Sequence, residues 1–194
     1  MSQINNTETL KLIEKNPSQI RKAIENKSTS ICAQKFWERK FGIEVRQKFA
    51  IAHEYTKESR LRLLHFKICH NIYPTNILLN RMRITSSELC TFCKVPDYIE
   101  HFFIQCQKLD GFWEKIFQTI NSYSTVRFTM SIEKILFGIT KMEEPNANVK
   151  ELKMANNIIL IGKMSISKMK YGLFKNIHLI FEREWALRKN KIID

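Results

Sequence analysis

Residues 90–106 read Cys-Thr-Phe-Cys-Lys-Val-Pro-Asp-Tyr-Ile-Glu-His-Phe-Phe-Ile-Gln-Cys, and this stretch decides the fold. Cys90 and Cys93 are separated by two residues, which lets a tight turn direct two thiolates at one ion. His101 and Cys106 follow with four residues between them, a spacing that is familiar from zinc fingers. A structural zinc ion takes four such ligands in a tetrahedron. The spacing therefore predicts one zinc ion (Zn2+) bound by Cys90, Cys93, His101 and Cys106.

Four protein ligands leave no coordination position open for an activated water, so we expect this zinc to be structural. The alternative is that the cysteines are small core residues and that His101 is incidental. Four ligands at workable spacings within 17 residues favour the metal. Residues five apart on a regular helix point ~140° away from each other. We therefore expect His101 in a loose first turn and Cys106 in the regular helix that follows.

The rest of the chain favours helices, because glycine (5) and proline (4) are scarce among its 194 residues. Apolar residues recur at steps of three and four. We predict an all-α fold, an irregular helical array with one zinc knuckle packed on a long helix. The expected helices cover about 8–15, 17–26, two segments between 31 and 55 broken near Gly42, 56–69, 77–82, 97–120 (with Gly111 as a mild weakness), 131–137, 148–170 and 175–190.

Three regions are predicted along the chain. Residues 1–30 are polar and are expected to form short helices and a linker. Residues 31–138 form a helical zinc-binding region, with the knuckle at 90–106. Residues 139–194 form a basic helical pair that packs on it.

The formal net charge is +13, and it is unevenly placed. Residues 1–89 carry 16 Lys and Arg against 8 Asp and Glu, residues 90–149 carry 6 against 7, and residues 150–194 carry 10 against 4. Such an excess suggests a polyanionic partner, although solubility alone could also explain it. We expect nucleic acid, with RNA or a single strand favoured. The basic candidates lie outside the knuckle and are Arg60, Arg62, Lys67, Arg81, Arg83, Lys163, Lys168 and Lys170.

The chain opens without the apolar segment of a secretory signal, and its aliphatic runs are too short to cross a bilayer. We expect an intracellular protein in the cytoplasm or nucleus, with no membrane association and no small-molecule substrate. The remaining cysteines, Cys32 and Cys69, lie far from the knuckle and are expected to be incidental thiols.

Residues from about 60 to 120 resemble the zinc-binding segment that follows the polymerase in LINE-type (non-LTR) retrotransposon reverse transcriptases. The matching stretches are 63–76 (Leu-Leu-His-Phe-Lys-Ile-Cys-His-Asn-Ile-Tyr-Pro-Thr-Asn), 89–93, 99–106 and 112–113, and the likeness continues at 135–138 and 158–163. The resemblance implies an accessory region that helps to hold template RNA or target DNA, with the same four metal ligands. It also implies a free-standing fragment or a domesticated derivative, since the catalytic parts of such elements are missing.

Two other functions compete with nucleic-acid binding. A metal-dependent nuclease would need paired carboxylates, and Pro96-Asp97 is followed by Asp110. This pair lies inside the zinc unit, and Asp97 would also serve as a helix N-cap. A protein-interaction scaffold could use Trp37, Trp113 and Trp185, but their helical spacing is more typical of core residues. Because polymerase and endonuclease signatures are absent, we expect no enzyme activity.

Overall fold

The fold is all-α, which confirms the predicted class. The computed structural model describes residues 32–172 and 176–193. Within these ranges no strand is present, and the only β-type pairing is an isolated antiparallel bridge between Leu89 and Pro96. The helices are α1 (Cys32–Phe41), α2 (Ile51–Tyr55), α3 (Ser59–Cys69), α4 (Asn76–Arg81), α5 (Phe112–Ser122), α6 (Ile132–Phe137), α7 (Val149–Lys170), α8 (Ile177–Ala186) and α9 (Lys189–Ile193).

The long helix α7 lies at the centre of the described fold and contacts α2, α3, α5, α8 and α9. It begins at a capping box, in which Asn148 accepts from the N–H of Glu151 and the Glu151 carboxylate accepts from the N–H of Asn148. Gly162 lets α5 approach closely, because a Cβ there would lie 3.1 Å from Cζ3 of Trp113. The helix is buried on most of its circumference, so it organises the core around it.

The predicted helix over 97–120 is wrong as a single element. The segment contains a π-type turn at His101–Gln105, a 3-10 turn at Gln107–Leu109 and then α5. Gly111, taken in the sequence as a mild weakness, has φ +66° and marks the break before α5. A left-handed φ favours glycine, so the residue ends one segment and begins the next.

The tryptophans belong to the core, as their helical spacing indicated. Trp37, Trp113 and Trp185 are 0%, 3% and 8% exposed. The indole N–H of Trp37 donates to the carbonyl of Cys69 at 2.9 Å, which satisfies a free acceptor at the end of α3. This contact fixes α1 against the C-terminal end of α3.

Some sequence predictions fall where the structure gives no description. The helices expected at 8–15 and 17–26 lie outside the described residues, as does part of the helix expected from 175. The domain boundary at residues 138 and 139 stays a prediction. None of the helices in the described ranges has the length and apolar content that a membrane crossing requires.

Candidate metal centre

The first two cysteines lie on a tight hairpin turn. The N–H of Cys90 donates to the carbonyl of Val95 at 2.7 Å, and the N–H of Lys94 donates back to the carbonyl of Cys90 at 3.0 Å. The bridge between Leu89 and Pro96 closes the base of the turn. Lys94 has φ +58°, an unusual backbone conformation for a residue with a Cβ. The hairpin therefore presents two cysteines on one side, with its geometry set by backbone hydrogen bonds.

His101 and Cys106 are brought together by the π-type turn. The N–H of Cys106 donates to the carbonyl of His101 at 3.0 Å, an i→i+5 bond that is wider than the i→i+4 bond of an α-helix. Cys106 itself has φ −66° and ψ 128°, so it is extended. The expectation that Cys106 lies in a regular helix is wrong, because a regular helix would have turned residues 101 and 106 apart.

The four side chains form one compact cluster whose ligand atoms all lie within 4.8 Å of one another. Sγ of Cys90 lies 3.9 Å from Sγ of Cys106, and Sγ of Cys93 lies 3.6 Å from the same atom. Nε2 of His101 lies 3.2 Å from Sγ of Cys93. Zinc bonds of ~2.3 Å to sulfur and ~2.0 Å to nitrogen in a tetrahedron require edges of about 3.8 Å and 3.5 Å. The donor set and its spacing fit a tetrahedral metal ion.

The protein environment shifts the pKa values of the candidate ligands in different directions. Burial raises the pKa of the Cys106 thiol to about 12, so a nearby cation is needed to stabilise its thiolate. Burial also acts to raise the pKa of Cys90, but backbone N–H groups of Cys93 and Phe92 outweigh it and lower that pKa. Burial, together with the charge of Lys170, lowers the pKa of His101. This favours the neutral imidazole, which is the form that binds metals.

A buried ion pair joins the cluster to the C-terminal end of α7. The Lys170 ammonium lies 3.1 Å from Oδ1 of Asp97, and the two side chains are only 7% and 4% exposed. The same ammonium sits over the ring of Phe102, 3.8 Å from its centroid. Oδ2 of Asp97 accepts from the N–H of Asn76 at 3.2 Å, so the carboxylate also holds the start of α4. Oδ1 lies 4.0 Å from Nε2 of His101, which places the whole network beside the metal ligands.

Two further contacts brace the segment that carries His101 and Cys106. Glu100, which is 3% exposed, forms a salt bridge with Lys40 of α1. The indole N–H of Trp113 donates to the carbonyl of Phe103 at 2.7 Å and ties the π-type turn to α5. The ligands are therefore supported from α1, α5 and α7.

Of the two carboxylates considered for a nuclease, Asp97 is already bound by other groups of the protein. Asp97 is 3% exposed and is occupied by Lys170 and the N–H of Asn76, while Asp110 is exposed. Asp97 does act as a cap, but on α4 and not on its own segment. These contacts favour a structural role for Asp97.

The basic residues of α7 do not lie where the sequence predicted. Lys163 is 0% exposed and donates to the carbonyl of Leu136 at 2.9 Å, so its assignment as a phosphate contact is wrong. Lys170 belongs to the buried pair with Asp97. Lys168 is bound to Glu184 at 2.6 Å. These three lysines of α7 are thus bound to other groups of the protein, whereas Lys150 and Lys153 of the same helix are exposed.

The other basic candidates remain open to solvent to different degrees. Arg60, Arg81 and Arg83 are exposed, whereas Arg62 and Lys67 are half-buried. Arg62 donates to the carbonyls of Thr56 and His53 at 2.6 and 3.3 Å. Those contacts fix its side chain while leaving its charge uncompensated by a carboxylate among the described salt bridges.

The sequence predicted the four residues that the structure brings together, but not the residues that support them. Asp97 and Lys170 are 73 residues apart, so no local pattern links them. Lys163 could have been recognised as buried, because it shares a helix face with Ile159 and Ile166, both 0% exposed. No protein family, curated protein or solved structure matches this chain.

Proposed function

We propose that the chain is a non-catalytic nucleic-acid-binding module that is stabilised by one structural zinc ion. The proposed zinc site is supported by the cluster of Cys90, Cys93, His101 and Cys106. Three thiolates and an imidazole are soft ligands that suit zinc, and together they fill its tetrahedron. When bound, the ion would link the hairpin to the π-type turn, and its binding free energy would add to folding.

The nucleic-acid part is supported by charge that lies outside the metal centre. Three thiolates and one Zn2+ sum to −1, so the centre itself does not attract phosphate. The net charge of the chain is +13, and exposed basic side chains are present on α3 and at the end of α4. Basic groups on a protein surface bind phosphates without reading sequence. The resemblance to the zinc-binding region of LINE-type reverse transcriptases supports the same proposal, with RNA favoured over DNA.

Metal binding is tested by elemental analysis of the purified protein. We expect one zinc per chain in the parent protein. The double variant Cys93→Ser/Cys106→Ser should lose both the zinc and the cooperativity of unfolding. Cys69→Ser is the control, because Cys69 is buried away from the cluster. Full zinc retention in the double variant would refute the ligand assignment.

Nucleic-acid binding is tested by titrating the protein with single-stranded RNA, single-stranded DNA and duplex DNA at several salt concentrations. We expect affinity to fall with salt, with a slope of about 0.7 per phosphate contact on a single strand. Arg60→Glu/Lys67→Glu/Arg81→Glu should weaken binding to all sequences and flatten the slope. Lys94→Glu/Lys108→Glu, which changes exposed charges within residues 90–110, should matter less. The opposite ranking would place the contact on the knuckle, and no binding to any strand would refute the proposal.

A further inference from the structure

Helix α3 presents an apolar stripe to solvent, which is unusual for a helix that already buries another face. Its buried face comprises Leu61, Leu64, His65, Ile68 and Cys69. On the opposite side, Leu63 is 52% exposed and Phe66 is 45% exposed. At 100° per residue, these two side chains and His70 fall within about 60° of one another. The stripe runs about 10 Å along the helix, given a rise of 1.5 Å per residue.

The aromatic part of this stripe is held in place. The rings of Phe66 and His70 have centroids 4.1 Å apart and are tilted by 34°. The ring of His70 meets Phe49 edge-on at 5.2 Å. Burial lowers the pKa of His70, which favours an uncharged ring at neutral pH. Phe49, Phe66 and His70 therefore form a continuous cluster of aromatic rings with Phe66 at its solvent end; we name it the α3 platform.

Basic side chains flank the platform on both margins. By helical position, Arg60 and Lys67 lie along one margin and Arg62 along the other. Neither Arg60 nor Lys67 forms a salt bridge within the described residues. The helix itself has no acidic residue. Glu58, just before the helix, is bound by the guanidinium of Arg188 at 2.7 Å.

An exposed aromatic ring between basic margins suits one class of ligand. Single-stranded nucleic acid offers flat unpaired bases that stack on aromatic rings and phosphates that attract cations. A duplex keeps its bases stacked on one another, so it offers an exposed aromatic ring no free base face. An apolar protein partner would use the stripe but would have no need for the uncompensated cations beside it.

We propose that the α3 platform binds unpaired bases of a single-stranded nucleic acid by stacking on Phe66, with the adjacent phosphates contacted by Arg60, Lys67 and Arg62. This rests on the proposed function and goes further, because it selects single strands over duplexes and names the residue that contacts the base. Phe66 supplies a base contact that does not depend on salt, whereas the cations supply the salt-dependent part.

The test compares binding of a labelled single-stranded RNA with binding of an abasic strand that has the same number of phosphates. Phe66→Ala should weaken binding to the base-bearing strand on the order of 10-fold to 100-fold, leave its salt slope unchanged and leave binding to the abasic strand unchanged. Phe66→Trp should retain binding. Phe66→Leu, which keeps the apolar side chain and secures folding, should behave like Phe66→Ala.

The matched control is Tyr123→Ala, an exposed aromatic residue (46%) at the end of α5. It should bind both strands as the parent protein does. If Phe66→Ala and Phe66→Leu bind the base-bearing strand as tightly as the parent, the platform proposal is wrong while the proposed function stands. If the parent binds no nucleic acid, both fail. If the parent is a dimer that Phe66→Ala dissociates, the platform is a protein interface and the proposal is overturned.

Discussion

The buried pair between Lys170 and Asp97 should couple the metal centre to the long helix α7. The two side chains are 7% and 4% exposed and their charged atoms are 3.1 Å apart. Lys170→Met would leave the Asp97 carboxylate buried without its cation. Removing one partner of a buried pair typically costs about 3–5 kcal/mol, because the remaining charge has no compensation. Lys170→Met also removes the ammonium over Phe102.

Chemical denaturation of the zinc-loaded protein measures this cost. The expected loss in the free energy of unfolding is about 3–5 kcal/mol for Lys170→Met. Lys168→Met is the matched control on the same helix: Lys168 is 27% exposed, and its partner Glu184 keeps a second cation, Arg188, at 2.8 Å, so the change should cost no more than about 1 kcal/mol. In Lys170→Met/Asp97→Asn the buried charge is gone, so the double variant should be less destabilised than the two single changes together, by about 1–3 kcal/mol.

The same variants test the link to the metal. With zinc bound, three thiolates and one Zn2+ would carry a net charge of −1, which the nearby ammonium of Lys170 would offset. Lys170→Met should therefore weaken zinc binding by about 10-fold to 100-fold in a chelator competition assay. Lys168→Met should leave zinc affinity unchanged. Strictly additive stability effects for Lys170 and Asp97, together with unchanged zinc affinity in Lys170→Met, would refute the coupling.

Three smaller predictions follow from single residues. Cys106→Ser should abolish stoichiometric zinc binding, measured by elemental analysis, whereas retention of one zinc per chain would contradict its role as a ligand. Lys94→Gly should raise the free energy of unfolding by about 1 kcal/mol, because φ +58° is strained for a residue with a Cβ; a loss of stability would show that the side chain makes a needed contact. Hydrogen bonds, chiefly from the backbone N–H of Asn148 and the hydroxyl of Thr125, lower the pKa of Glu151 from 4.5 to about 2. The ionised Glu151 carboxylate therefore stabilises the folded protein fully above pH 4.5, and this contribution is lost as the pH falls towards 2. The stability difference between the parent and Glu151→Gln should therefore shrink over that interval, and a constant difference would exclude this titration.

Local patterns predicted the parts of the structure that local forces determine. The expected helix at 148–170 agrees with α7 at both ends, because Asn148 and Glu151 form a cap within four residues. The clustering of Cys90, Cys93, His101 and Cys106 was likewise predictable from their spacing, and the structure brings these four side chains together. Both features depend on contacts between residues that are close in the sequence.

The errors occur where distant parts of the chain determine the conformation. Phe102, Cys106, Leu109 and Trp113 keep helical spacing, yet the segment breaks into π-type and 3-10 turns. The spacing of apolar residues indicates which side of a segment is buried. The same side stays buried when an α-turn widens to a π-type turn, so the spacing does not predict the type of turn. Lys163 combines both cases: its helix face, shared with Ile159 and Ile166, marks it as buried, whereas the acceptor that satisfies its ammonium, the carbonyl of Leu136 in α6, lies 27 residues away.

The metal ligands are close in sequence, whereas the contacts that enclose them come from far away. Cys90 and Cys106 are 16 positions apart, and Asp97 and Lys170 are 73 apart. Closing a short loop costs less chain entropy than closing a long one. During synthesis residues 90–106 are also made before the end of α7, which is residue 170. If the cysteine unit binds a metal ion, its four ligands would be available for that ion before α7 is complete.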